Sequence, residues 1–525
     1  MWFSLIINVP DEKINQTSKY ITSYWDELIN PPDKANKDLP IPNPYVTPSK
    51  KFNAFFYWDT YFTILGLFVD DHYKLAVGSV KNFIAEIEKM GFIPNYNGPG
   101  WISKTRSQPP FFSQMVLELF SMSNDITLLK EFIEPLEKEY TYWTSPPKLF
   151  KFGLARYFDT SFFAKFQHYS AMAESGWDFT NRFRNIKESL PVDLNTLLAL
   201  QERTIWQILG IIGNGSAEET EKWKSLFKKR TDLINQYMWD ENRKFFYDFS
   251  TAQNRPEKSS SLAGYFPMWA NLVDDERAAW CAKKLEEFLK LGGLATTLDD
   301  KIDGFRVLMK FKGLQWCYPA GWAPLHWIVI KGLSNYNYDI VAAEASLRFL
   351  RLVSEIFNEK GVIFEKYNVV DKNTKVKAAY SMHTGFGWTN SVFQTLLARI
   401  IMGIEPELNL GFRFSPRIPD EWQNKEISVS FNNYPKLGLN LALTIEDKRK
   451  EEQIIEYLIT VNKPIEVELR FFKKEENPFT SILINDEEQL NEFNIETIGN
   501  SIERKTIATA SAISLKSGEN KISIS

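Results

Sequence analysis

The sequence predicts a mainly α-helical protein that ends in a small β-sandwich. Apolar residues recur at helical spacing between about residues 57 and 402, whereas apolar and polar residues alternate strictly after residue 405. With 525 residues, of which 44% are hydrophobic, the chain is long enough to bury a large core. We therefore expect an N-terminal extension with a proline-rich loop over 1–50, a helical domain over 51–404 and a β-sandwich over 405–525.

Helix-capping residues and loop-forming prolines support the predicted N-terminal extension and the predicted helical domain. Six prolines between residues 31 and 48 exclude a helix there and predict an extended loop. Asp274 can cap a helix whose apolar residues recur every three or four positions, and Gly292–Gly293 can end it. A helix of the same kind begins near Ile340 and stops at Gly361.

The C-terminal part has the period of two that is typical of strands. From Ile465 to Phe471, apolar residues alternate with Glu466, Glu468 and Arg470, which predicts a half-buried strand. The same alternation marks residues 427–431, 437–445, 454–461 and 522–524. Together these strands predict the sandwich.

The charge balance and the few cysteines and histidines exclude several classes of protein. Sixty-two basic against 66 acidic residues leave a net charge of −4, which favours neither nucleic acid nor an anionic membrane as a partner. Two cysteines cannot form a disulfide framework, and the four histidines lack metal-binding spacing, so we expect no metal. Met1–Val9 has no basic lead and no cleavage-like small residues, which predicts no signal peptide, no membrane span and a cytoplasmic protein. The oligomeric state stays open.

Two carboxylates stand among the aromatic residues that make up 15% of the chain. Asp178 follows a Trp and precedes a Phe, and desolvation there would raise its pKa toward the range of a general acid. Glu365 also lies among aromatic residues. Taken alone, each has a simpler interpretation, as a helix-capping Asp and as a surface Glu paired with Lys366. Two carboxylates in different environments are what glycoside hydrolysis requires, and aromatic clefts suit sugars.

Six short blocks follow one another over about 330 residues of the chain. They are Trp58–Phe62; Arg106–Phe111, preceded by Ile93–Asn95; Glu174–Phe179, followed by Pro191–Asn195; Gln315–Pro324; Glu365–Tyr367; and Gly385–Asn390. In this order the blocks resemble the α,α-trehalase family of glycoside hydrolases (family 37). Six ordered blocks are a specific signal, which no single block provides.

The resemblance implies a six-hairpin (α/α)6 barrel, hydrolysis with inversion, and neither a metal nor a cofactor. It also implies that Asp178 is the general acid and that Glu365 is the general base. The substrate would be a small disaccharide, first of all α,α-trehalose, which is cleaved to two glucose molecules. The implied sugar-contacting residues are Lys51, Phe52, Trp58, Asp59, Asn95, Arg106, Gln108, Glu174, Gly176 and Trp316. A structural salt bridge is the alternative for Arg106, and core packing is the alternative for the two tryptophans.

Several positions depart from the family's pattern. The first signature contains Pro-Gly-Gly-Arg-Phe and a Glu two residues later, where this chain has Lys51 and Ala54; the second has Cys317 in place of an Asp. These changes leave the substrate open. Another α-glucoside is one alternative, and a mannosyl or glucosyl glycerate is another, because its acidic group would suit Lys51. A catalytically inactive sugar-binding protein and a phosphorylase are the remaining alternatives.

Overall fold

Helices dominate the first four-fifths of the chain and strands dominate the rest, as the sequence predicts. The computed structural model describes residues 6–33, 39–161, 167–213, 215–299, 314–376, 382–422, 424–448, 454–474, 479–499 and 504–525. Within these ranges, none of the helices combines the length and the apolar character needed to span a bilayer.

Six inner helical segments form a closed ring. Each contacts the next in chain order, and the last packs against the first. The first inner helix is buried along its whole length, as expected for a helix whose residues are mostly apolar. The inner segments are Tyr57–Val69, Phe112–Ser123, Val192–Ile212, Leu262–Tyr265 with Phe266–Trp269, Ala323–Asn335, and Gly387–Thr395 with its π-helical continuation Leu396–Ile401.

The ring closes where Gly66 meets Ser391. The Gly66 N–H donates a 2.6 Å hydrogen bond to the Ser391 hydroxyl, which in turn lies within hydrogen-bonding distance of the carbonyls of Phe62 and Thr63. A Cβ atom on Gly66 would lie 2.5 Å from the Cα of Ser391, so only glycine allows this approach. The first and last inner helices therefore meet backbone to backbone.

An outer layer of helices surrounds the ring. Its members are Glu12–Tyr24, Tyr73–Met90, Ile126–Trp143, Ala217–Tyr237, Asp275–Phe288 and Asp339–Lys360, and the further helix Gln167–Glu174 precedes the Asp178 turn. Asp274 caps its helix by accepting from the Arg277 N–H, and Gly361 ends another at a φ of 69°, as predicted. The helix that begins after Asp274 ends at Phe288 rather than at Gly292–Gly293, because Leu289–Lys290 pairs with Gly293–Leu294 in a short hairpin.

The helix Glu12–Tyr24 departs from the expectation that residues 1–50 lie outside the barrel as an extension. It packs against Asp339–Lys360 and Gly387–Thr395, and so provides the outer partner of the last inner helix. Its buried residues have helical spacing but include two hydroxyl side chains: Ile14, Thr17, Ser18 and Ile21. The apolar stripe is therefore too weak to be recognised from sequence.

The C-terminal part contains two sheets that pack face to face through aromatic rings, with the ring centroids of Phe414 and Tyr457 5.3 Å apart. The first sheet has the order Ile6–Asn8, Glu426–Phe431, Leu441–Lys448, Ile454–Val461, Gly518–Ile524, Ile482–Ile484, Glu487–Glu488. The second has the order Ile404–Pro406, Phe412–Phe414, Ile465–Lys474, Arg504–Leu515, Asn494–Gly499. The predicted strand at 437–445 begins only at Leu441, because Gly438 (φ 76°) forms a turn. A mainly α barrel with a C-terminal β-sandwich is confirmed.

Short ladders lie in the loops between the helices. They pair Ile29–Asn30 with Tyr45–Val46, Trp239–Asp240 with Phe245–Phe246, and Ala320–Trp322 with Lys366–Asn368. Two have three strands: Phe55–Phe56, Tyr96–Gly98 and Trp101–Ile102, and Ser189–Leu190, Phe249–Ser250 and Arg255–Pro256.

A buried charge cluster joins the helices to the sandwich. Asp339 accepts from Arg417 at 2.7 Å and from Arg470 at 2.6 Å, and it also pairs with Lys505. Burial alone would raise the pKa of Asp339, but the three cations outweigh burial and lower that pKa well below its ordinary value. Arg470 is thus buried although it occupies a polar position in the alternation from Ile465 to Phe471. The pairing register shifts between Val467 and Leu469, just before it.

We expect Asp339→Asn to lower the free energy of unfolding by about 3–5 kcal/mol, because three buried cations lose their anion. Urea unfolding followed by circular dichroism measures the change. Glu355→Gln is the matched control, since Glu355 forms an exposed ion pair with Lys372 at 2.6 Å. Its effect should stay below about 1 kcal/mol. Equal effects of the two substitutions would contradict the role given to Asp339.

Candidate active site

A pocket of about 370 Å³ opens where several of the inner helices begin. Its lining residues lie in the first turns of these helices or in the loops that lead into them. The volume falls within the range of about 300–1,000 Å³ that is usual for small-molecule sites. Ten of the twelve residues predicted for the site line it: Phe52, Trp58, Asp59, Asn95, Arg106, Gln108, Gly176, Asp178, Trp316 and Glu365.

Glu174 does not line the pocket, which corrects its prediction as a sugar contact. Its carboxylate is fully buried and accepts from the Lys148 ammonium at 2.5 Å. It also accepts from the backbone N–H groups of Ser107 at 2.9 Å and Phe158 at 2.7 Å. Glu174 therefore lies behind the pocket wall, where its hydrogen bond to Ser107 positions the segment between Arg106 and Gln108.

Lys51 is exposed and does not belong to the pocket lining, which differs from its prediction as a sugar contact. Its neighbour Phe52 does line the pocket, with its ring centroid 3.9 Å from that of His383. Burial lowers the pKa of His383 to about 4, and the charges of Lys366 and Lys51 add to this effect. His383 is therefore a neutral group at physiological pH.

Stacked tryptophans form the base of the pocket. Trp316 lies 3.7 Å from Trp322 and 5.6 Å from Trp58, measured between ring centroids. Trp58 and Trp316 are both almost fully buried, so they pack in the core and face the pocket at the same time. Gly176 has a φ of 72°, and a Cβ atom there would lie 2.7 Å from the Trp58 ring. Only glycine allows the turn that carries Asp178 to pass this indole.

Polar residues of the pocket wall are positioned by contacts with other residues of the protein. Asn95 donates its amide hydrogens to the carbonyls of Ser107 and Ala173, and Gln108 accepts from the Trp58 N–H at 3.0 Å. Arg106 lines the pocket and also lies 3.5 Å from Asp159, so the salt-bridge alternative and the pocket position both hold.

Asp178 lies in a turn after Gly176, not at a helix N-terminus. One of its carboxylate oxygens is buried and accepts no hydrogen bond from any residue that the structure describes. Burial raises the pKa of Asp178 to about 7; Arg106 opposes this rise and Glu365 adds to it. A carboxyl group in this state can donate a proton at neutral pH.

Glu365 is buried, which removes the interpretation of a surface glutamate. Its carboxylate accepts from the Lys366 ammonium at 2.6 Å, and its backbone carbonyl accepts from the Trp388 indole at 3.3 Å. Lys366 begins the strand that pairs with Ala320–Trp322, which brings Glu365 beside the stacked tryptophans. An opposite charge at this distance favours the ionised carboxylate, as a general base requires.

Asp59 is a third carboxyl group in the same pocket. Burial raises its pKa well above the ordinary value, and the charges of Glu365 and Asp178 raise it further. At Asp178, by contrast, the charges of Arg106 and Lys366 both oppose the rise in pKa. Within the described residues, no group of three or more His, Cys, Asp or Glu side chains could hold a metal ion.

Several aromatic residues of the lining are not predicted from the sequence. Trp322 and Trp388 lie inside blocks that carry the family resemblance, so the signal for them was present. Tyr96 and Trp101 lie between such blocks, where nothing in the sequence singles them out. The aromatic and histidine side chains of the lining that were not predicted are Phe56, Tyr96, Trp101, Phe179, Trp322, His383, Phe386 and Trp388.

We expect Asp178→Asn to make the protein more stable than the wild type above pH 7. The pKa of Asp178 rises on folding, so its favourable contribution is complete below pH 4 and is lost as the pH rises toward 7. Asn does not titrate. Urea unfolding at pH 4 and pH 8 should show the difference between the proteins growing by about 1–3 kcal/mol, after allowance for the partial exposure of the side chain. A difference that is independent of pH would contradict a protonated Asp178.

Comparisons with known proteins agree with this geometry. The family described as Trehalase matches residues 3–165 and 160–400. A periplasmic trehalase of Salmonella newport is 32% identical over 420 residues, which cover 71% of this chain and 69% of that protein. The structure of neutral trehalase Nth1 from Saccharomyces cerevisiae aligns with a TM-score of 0.60 and 27% identity, covering 73% of this chain and 79% of that one. A GH63 mannosylglycerate hydrolase from Thermus thermophilus shares the fold at 15% identity and a TM-score of 0.54, covering 73% and 100% of the two chains. This chain belongs to the trehalase family.

Proposed function

We propose that this glycoside hydrolase cleaves α,α-trehalose to two glucose molecules with inversion. The observation that carries the proposal is the position of Asp178 and Glu365. Far apart in the chain, they line one pocket in opposite electrostatic environments. An acid and a base in one site are what an inverting glycosidase needs. The match to family members named trehalase supports trehalose as the substrate.

Asp178 is the general acid of this mechanism. With a pKa of about 7 it is largely protonated in mildly acidic solution and about half protonated at neutral pH, and it gives its proton to the glycosidic oxygen. The bond from that oxygen to the anomeric carbon then breaks, and the leaving glucose carries the proton away as its hydroxyl. Arg106 opposes the rise in the Asp178 pKa and so keeps it near neutrality.

Glu365 is the general base. Lys366 binds one carboxylate oxygen and fixes the orientation of the group. The carboxylate takes a proton from a water molecule that attacks the anomeric carbon from the face opposite the leaving group. This step needs room for the water, so the two carboxyl groups should be roughly 6.5–9.5 Å apart with substrate bound.

The alternatives have weaker support. A glycerate aglycone was suggested by Lys51, which is exposed outside the pocket lining. A phosphorylase would bring phosphate close to Glu365, and two anions in a buried site repel each other. An inactive sugar-binding protein would not need the acid and base that face the same pocket. Another α-glucoside is the remaining alternative, and a comparison of trehalose with maltose and kojibiose tests it. The cytoplasmic location stays a prediction, and the Salmonella relative is named periplasmic.

We expect trehalose to be hydrolysed faster than maltose, kojibiose or mannosylglycerate, and independently of phosphate. Inversion converts the attacked ring to β-glucose while the leaving ring remains α-glucose. Proton NMR of the fresh product should therefore show equal amounts of the two anomers before mutarotation mixes them. Asp178→Asn and Glu365→Gln should each lower kcat by about 10²–10⁴-fold or more, because each removes one proton transfer.

Three results would contradict the proposal. Release of α-glucose alone would indicate retention. Phosphate-dependent release of a sugar phosphate would indicate a phosphorylase. Near-normal turnover by either variant would remove that residue from the mechanism, provided that its circular dichroism spectrum matches the wild type.

We expect Lys366→Met to move the acidic limb of the kcat/KM profile to higher pH by about one unit, because the base loses its adjacent cation. Lys148→Met is the matched control: it also removes a buried lysine from a buried glutamate, but Glu174 lies outside the pocket. That variant should keep the position of the limb even if it loses stability. Identical pH profiles for the two variants would show that Lys366 has only a structural role.

A further inference from the structure

Trp101 is an exposed tryptophan in the wall of the pocket. The other four tryptophans of the lining are at most 4% exposed, whereas Trp101 is 43% exposed. Among the described residues, the exposed large apolar side chains include two aromatic rings, Trp101 and Phe152. An indole that stays in water at the edge of a binding pocket can gain stability by stacking on a ligand.

A small three-stranded sheet fixes the position of this ring. Tyr96–Gly98 and Trp101–Ile102 form a hairpin, and Phe55–Phe56 pairs with its other side. Pro99 and Gly100 connect the two strands, with Gly100 at a φ of 79° as the third position of a type II turn requires. The ring centroids of Trp101 and Tyr96 are 4.4 Å apart. The two rings, tilted by 42° to each other, thus pack together into one aromatic surface on the hairpin.

One of the departures from the family pattern lies directly beneath this surface. A Cβ atom on Gly98 would lie 2.7 Å from the Cβ of Ala54 and 2.9 Å from the indole nitrogen of Trp101. The indole of Trp101 therefore packs directly against Gly98, and Gly98 packs against Ala54. At position 54 the first trehalase signature has a glutamate, whose larger and charged side chain would not leave this contact intact. The small residue at 54 and the exposed indole belong to the same local arrangement.

The chemistry of this surface matches a sugar ring. One face of a pyranose carries C–H groups, which stack on an aromatic ring, and its hydroxyl groups point outward from the edge. Arg106 lies 5.9 Å from the Tyr96 ring and can donate to such hydroxyls. Tyr96 and Trp101 line the same pocket as Asp178 and Glu365, so the surface is continuous with the catalytic site.

We propose that Tyr96 and Trp101 form an outer sugar platform on which a pyranose ring of the substrate stacks. The choice of a sugar as its ligand rests on the proposed function. The ring has two possible sources: one of the two rings of a disaccharide, or an additional ring of a longer glycoside.

Binding in the Asp178→Asn background separates the two sources, because the sugar is not consumed. Calorimetric titration uses trehalose and a trehalose that carries one further α-linked glucose. Trp101→Ala should weaken binding of at least one ligand about ten-fold, since the indole face is lost. Trp101→Tyr should keep most of the affinity because it keeps an aromatic face. Phe152→Ala is the matched control, since its ring is 41% exposed but lies outside the pocket.

Each outcome has a defined meaning. Weaker binding of trehalose assigns the platform to a ring of the disaccharide, and weaker binding of the trisaccharide alone assigns it to an additional ring. If Trp101→Ala leaves both affinities within about two-fold of the parent, or if the parent binds neither sugar, the platform is rejected. Failure of the proposed reaction is a separate result: binding that depends on Trp101 without trehalose hydrolysis by the active protein keeps the platform and changes the substrate.

Discussion

The contact between Gly66 and Ser391 is the constraint on which the active site depends. It joins the first and last inner helices by their backbones, and the N-terminal ends of those helices carry Trp58, Asp59 and Trp388. Without closure at this point, residues from the two ends of the barrel would not share a pocket. The packing of a fully buried helix thus sets the positions of polar groups some turns away.

Within the pocket, burial and charge divide three similar carboxyl groups into different states. Glu365 has a buried ammonium beside it, whereas Asp178 and Asp59 have lost water without an equally close cation. A desolvated carboxyl group retains its proton, and an ion-paired one releases it. In the proposed mechanism, neighbouring side chains, not the carboxyl groups themselves, therefore decide which residue acts as the acid and which as the base.

Much of the fold could be predicted because strong local signals agreed with the tertiary structure. Asp274 and Gly361 mark helix ends, and alternation marks the sandwich strands. The helix Glu12–Tyr24 was missed because part of its buried face is hydroxylic, and the burial of Arg470 depends on Asp339, far away in the sequence. For the site, motif order identified the carboxylates, but it could not show that Glu174 faces Lys148 behind the wall. Two residues that are distant in the sequence but adjacent in the fold give no spacing pattern from which their contact could be predicted.

The position of the helix Glu12–Tyr24 has a consequence for the order of folding. This segment is synthesised before its partners, which are Asp339–Lys360 and Gly387–Thr395, and the strand before it pairs with Glu426–Phe431. This helix and the strand before it therefore have no complete docking surface until the chain has been made as far as Phe431. Such long-range contacts form late and slow the final step. Completion of the barrel and addition of Ile6–Asn8 to the sandwich therefore both wait for segments that are synthesised several hundred residues later.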